Sequence, residues 1–170
     1  MKVTGYKLRE AIRRWELRRK ATASQFDDSL HAFEGDEKIT PTGVIKTFER
    51  SDRAIAELQT AQARYNLVVT ARLGDEELTL CELVKLVGGA GRVEKMWRSA
   101  ALIKKDRYSY RGDELTRDPN EVRAKRTISH AEATQMAIRA AKKAGDIRAG
   151  IATANATEVE IEGLSADLFE

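Results

Sequence analysis

"KLREAIRRWELRRKATASQFDDSLHAF" (Lys7–Phe33) places apolar or small residues at Leu8, Ile12, Trp15, Thr22, Phe26, Leu30 and Phe33. The steps are threes and fours with one gap, where Arg19 falls on the seam. That is the period of one helical face, so the stretch predicts a long helix over about 5–33 with a narrow apolar stripe. So narrow a stripe requires a partner helix, and the next segment supplies one. Thr40 before Pro41 is an N-cap followed by proline at the first helical position. Val44, Phe48, Ile55, Leu58, Tyr65 and Val69 then form a matching stripe over about 41–66. "GDEKITPTG" (Gly35–Gly43) separates the two, with Gly35 as the helix stop. Two long helices joined by a short turn predict an antiparallel hairpin.

The pattern changes at "NLVVTARLGDEELTL" (Asn66–Leu80). β-branched residues followed by Gly74-Asp75 predict a short β-hairpin over about 67–78. Thr79 with Glu82 is a capping box, flanked by Leu78 and Leu83 at the hydrophobic-staple spacing. The expectation is one short helix over 80–87 and a second over 90–104, with Gly88–Gly91 as the corner between them. Capping signals at Asp118–Glu121 and Ser129–Glu132 predict helices over 119–126 and 130–154, the latter with an alanine-rich face. In the tail, Val159 and Ile161 alternate with Glu158, Glu160 and Glu162, the mark of a short edge strand. The fold class expected is therefore mainly α, a single domain in which a long antiparallel helical hairpin and further helices form a bundle with minor β-structure.

Composition narrows the function. The 170 residues are 34% charged and 6% aromatic, which suits long helices with solvated outer faces. The net charge of +3 demands neither nucleic acid nor an anionic membrane. A lone cysteine, Cys81, implies no disulfide framework. No run approaches the roughly 20 apolar residues of a membrane span, and a cytoplasmic location is the expectation.

Candidate chemistry is sparse. "GGAGR" (Gly88–Arg92) lacks the lysine and hydroxyl of a Walker loop, and no strand precedes it as a dinucleotide fingerprint requires. Read as the start of a helix, it offers free amides with Arg92 and Lys95 to an anion, the weakest of the functional readings. His31 and His130 have no companions at metal-ligand spacing. Cys81, in a first helical turn, reads as a small apolar residue before it reads as a nucleophile. No catalytic constellation, cofactor site or metal site emerges.

The one concentrated feature is basic. Between residues 92 and 126 stand eleven Lys and Arg against six acids. Arg92, Lys95, Arg98, Lys104, Lys105, Arg107, Arg111 and Arg117, with Tyr108 and Tyr110 among them, are candidate contacts for an anion or for single-stranded nucleic acid. The same charges suit an acidic partner, since the chain from Thr127 onward is net negative. The leading expectation is a non-enzymatic protein that works through homo-oligomeric assembly or partner binding, with a nucleic-acid-binding accessory protein as the alternative.

The ordered segments "KLREAIRRWELRRKATASQF", "AQARYN", "LTLCEL" and "IATANATEVEI" together resemble the septicolysin-like family of small helical bacterial proteins. The resemblance is spread over most of the chain and rests on order and pattern. It implies an oligomeric α-helical bundle with minor β-structure. The family label suggests a cytolysin, yet no stretch reads as a membrane-inserting hairpin, and the family supplies no catalytic residues to transfer.

Overall fold

The computed structural model describes residues 1–31, 39–102 and 127–170. Its elements are β1 (Lys2–Val3), α1 (Gly5–Ser29), α2 (Pro41–Val68), β2 (Thr70–Leu73), β3 (Glu76–Thr79), α3 (Leu80–Ala101), α4 (His130–Ala156), β4 (Val159–Glu160) and a 3-10 turn (Ala166–Phe169). The mainly α reading with minor antiparallel β-structure holds. The described chain divides into two compact units, one of residues 1–83 with 150–170 and one of residues 84–149.

The first unit is built on the α1–α2 hairpin. Thr4 caps α1, its hydroxyl accepting from the Lys7 amide at 3.2 Å, and Thr40 does the same for α2 with Gly43. Leu8, Ala11 and Trp15 of α1 bury against Ala54, Ile55, Leu58, Ala61 and Tyr65 of α2. Toward the far end of the hairpin the seam turns polar. Thr22, Ser29 and Ser51 are buried there, and each hydroxyl donates to a carbonyl of its own helix. Arg19, the break in the predicted stripe, points out to Asp52 at 2.6 Å.

The tail closes this core. β4 pairs antiparallel with β1, setting Val3 opposite Val159, so the predicted edge strand has a partner at the start of the chain. The Trp15 indole donates to the Leu168 carbonyl at 2.9 Å, and Arg14 donates to that of Phe169 at 2.7 Å. At Gly5 a methyl group would run into the Asn155 carboxamide and the Tyr65 ring, so the first turn of α1 fits only because this residue has no side chain.

Several boundaries differ from expectation. α1 stops at Ser29 rather than near 33, where the Leu30 amide turns back to the Asp27 and Asp28 carbonyls. Leu30 is exposed instead of lying on the stripe. The expected stop at Gly35 lies outside the described residues. Leu67 and Val68 stay helical, and the hairpin begins only at Thr70, where Thr79 is available to pair. Gly74, at a φ of +64°, makes its turn. The helix expected over 119–126 lies outside the described residues.

The largest correction concerns Gly88–Gly91. No corner exists there: α3 runs unbroken from Leu80 to Ala101, and none of its glycines has positive φ. Each glycine costs a helix about 1 kcal/mol relative to alanine, but no proline interrupts the segment. Packing also continues across it, through Val87 and Ala90 to Glu94 and Trp97.

Candidate interaction surface

The 22 residues of α3 form one half of a helical arm, with α4 as the other half. Both capping boxes that start these helices are formed in full. The Thr79 amide and hydroxyl donate to the Glu82 carboxylate at 2.8 and 2.7 Å, and the Glu82 amide donates back to the hydroxyl. Ser129 and Glu132 repeat the arrangement. These bonds, the side-chain hydroxyl first and the backbone amide second, hold both carboxyls below the usual range.

The inward residues of α3 are Leu80, Leu83, Val87, Ala90, Glu94, Trp97 and Ala101, and those of α4 are Ala133, Ala137, Ala140, Ala144, Ile147, Ile151 and Ala154. Steps of three and four repeat without a break on both helices, a heptad seam. The helices run antiparallel. A Cβ at Gly150 would sit 3.6 Å from Leu83, while Lys95–Leu102 shares a groove with Thr134–Ala141.

Glu94 is the exception on the seam. Its side chain is only 14% exposed and lies between Arg98 at 2.8 Å and Arg148 at 3.5 Å. Two guanidinium groups compensate the carboxylate for lost water, and a charged group at one seam position disfavours sliding of the helices.

The arm is thinly packed. Alanine fills most inward positions of α4, and each buried methyl contributes only about 0.8 kcal/mol. Beyond Leu83, no α3 side chain is fully buried. A second apolar row meanwhile faces outward. Leu86, Val93 and Met96 are 46%, 47% and 70% exposed, and Gly89 and Ala100 continue the same three-and-four spacing. The groove between the two helices near their far ends has a volume of about 650 Å3, with Ala101, Leu102, Ala137, Ile138 and Ala141 as its apolar lining and Lys95 and Arg98 on it.

Of the candidate contacts read from sequence, Arg92, Lys95 and Arg98 stand exposed on α3, with Arg98 engaged by Glu94. Lys104, Lys105, Arg107, Tyr108, Tyr110, Arg111 and Arg117 lie outside the described residues. Lys85, Arg139, Lys142 and Lys143 were not singled out, although they project from the same arm. For the three on α4 the signal was present: a helical projection of residues 130–154 sets Lys142 opposite the alanine face, with Arg139 and Lys143 toward one flank. Among the described residues Lys85, Arg92, Lys95, Arg139, Lys142 and Lys143 make no ion pair.

Other candidates do not assemble. Cys81 is half-buried in the first turn of α3. Among the described residues no three His, Cys, Asp or Glu side chains cluster as a metal site would require. A cleft of about 370 Å3 in the α1–α2 hairpin is lined by Trp15, Arg18, Thr22, Gln25, Arg50 and Ser51 among others, and none of its lining residues is a carboxylate or imidazole. No helix of the described residues is long and apolar enough to cross a membrane.

The class these features define is a mainly α protein with a long helical hairpin and a basic two-helix arm. Comparison of the chain with protein-family models, curated proteins and solved structures finds no match.

Proposed function

We propose that this is a non-enzymatic helical protein that works through homo-oligomeric assembly, as the septicolysin-like layout also implies. The observation that carries the reading is the α3–α4 arm, a 22-residue helix with nothing fully buried beyond Leu83 and an apolar row turned outward. Most helical stability in proteins comes from tertiary burial of an apolar face. A second chain on the arm supplies what the seam lacks. Light scattering from 1 to about 100 μM tests the proposal, with a mass that is a multiple of the 19.0 kDa chain expected. A single-chain mass across that range rules assembly out.

A second reading has its own support in those exposed cations of the arm that make no ion pair among the described residues and suit a nucleic-acid backbone. It expects binding to single-stranded oligonucleotides that falls steeply with salt, through release of condensed counterions. Binding unchanged on replacing Lys85, Arg92 and Lys95 by glutamine excludes it. An anion or nucleotide site at Gly88–Gly91 lacks the helix start it needs, because those residues lie inside α3.

A further inference from the structure

Charge is divided unevenly along the chain. Residues 84–149 hold sixteen Lys and Arg against eight Asp and Glu, whereas residues 1–83 and 150–170 together hold fourteen against nineteen. The acidic excess is concentrated in the tail, where residues 158–170 contain five carboxylates and no base. Glu158, Glu160 and Glu162 are exposed there, alternating with half-buried Val159 and buried Ile161. The extended chain at β4 sets Glu158 and Glu160 on one side about 6.7 Å apart, with Lys2 opposite Glu160 in the strand register and Glu162 exposed in the turn that follows. None of the three carboxylates takes part in an ion pair among the described residues.

Charges of the opposite sign stand on α3. Lys85 and Arg92 are two helical turns apart, about 10.5 Å, and Lys95 follows one turn on. All three are exposed, and none makes an ion pair among the described residues. Beside them runs the uncovered row of Leu86, Val93 and Met96. One chain therefore carries three exposed cations bordered by exposed apolar surface on α3, and three exposed carboxylates at β4 and the turn after it, none of the six in an ion pair among the described residues.

We propose that the Lys85–Arg92–Lys95 row of one copy seats against the Glu158–Glu160–Glu162 edge of a second copy. The proposal rests on the assembly reading above and names its interface. Charge complementarity selects this pairing. Arm against arm brings two basic surfaces together, and like charges opposed across an interface repel. A nucleic acid on the arm leaves the acidic edge without a role. Because the two surfaces differ, the contact is heterologous, and repetition produces a ring or a filament rather than a closed two-fold dimer.

Two charge-reversed variants test it, Lys85→Glu with Arg92→Glu, and Glu158→Lys with Glu160→Lys. All four positions are exposed, so circular dichroism matching the parent protein is expected for both. Each variant alone shows association weakened at least tenfold by light scattering. An equimolar mixture restores it, since each reversed surface then meets its complement on the other variant. Raising salt from 50 to 500 mM weakens assembly of the parent protein. Retained assembly of either variant alone, absence of restoration on mixing, or strengthening by salt overturns this interface while leaving assembly standing. A monomeric parent protein overturns both.

Discussion

Tyr65 ties three distant parts of the chain together. Its hydroxyl lies 2.7 Å from the carbonyl oxygens of both Ala154 and Thr157, while its ring lies against Gly5. Burial raises its pKa, and the charged form is the one that burial disfavours. Above the ordinary tyrosine value of about 10 the unfolded chain gives up this proton before the folded one does. The contribution to stability is therefore complete below that pH and is lost as pH rises through the folded value. A urea-denaturation series from pH 9 to 11 is expected to show the parent protein losing stability more steeply than Tyr65→Phe. At pH 7 the same variant loses about 1–3 kcal/mol, the cost of leaving buried carbonyls unsatisfied. At Gly5, alanine destabilises by roughly 1–3 kcal/mol, because the added methyl meets the Asn155 and Tyr65 side chains. Thermal unfolding of Gly5→Ala checks this. Neither role was legible in sequence. Tyr65 read as one more stripe residue and Gly5 as a residue before a helix, since their partners lie roughly 90 and 150 positions away.

Among the described elements, the capping signals at Thr40, Thr79 and Ser129 were legible. A Ser or Thr followed three residues later by Glu satisfies amides that the helix itself leaves free, so the motif acts locally. Thr40–Pro41, Thr79–Glu82 and Ser129–Glu132 each begin a helix where the sequence placed it. Replacing Thr79 by alanine is expected to cost about 1 kcal/mol in chemical denaturation. It also flattens the acid limb of the stability profile. The Glu82 carboxyl sits below its unfolded value, so its contribution is present above the ordinary carboxylate range and is lost as pH falls through the folded value.

The glycines of α3 were misleading for a physical reason. Helix propensity predicts a break at Gly88–Gly91, but the heptad seam on either side keeps one register through it, and packing overrides propensity. A Cβ at Gly91 meets nothing within 4 Å. Gly91→Ala is therefore expected to raise stability by about 0.4–1 kcal/mol, mainly by restricting the unfolded chain. A loss of stability in thermal melts of that variant would show that another surface lies close to α3 at this point.

For the whole molecule, the question is what the arm is for. The hairpin unit encloses a continuous core from Val3 to Ile161, closed by its own tail. The arm has an alanine-rich seam, an outward apolar row and exposed cations that make no ion pair among the described residues, and these features carry the assembly proposal. Composition and periodicity alone established the helical class, the long hairpin, the capped helix starts and the basic character of the region after Gly91. All of these depend on residues within a few turns of one another. Tertiary structure decided that α3 is one helix, that Glu94 sits between Arg98 and Arg148, that β4 pairs with β1, and which cations and apolar side chains stay uncovered. Those outcomes depend on burial against residues far along the chain, which periodicity cannot place.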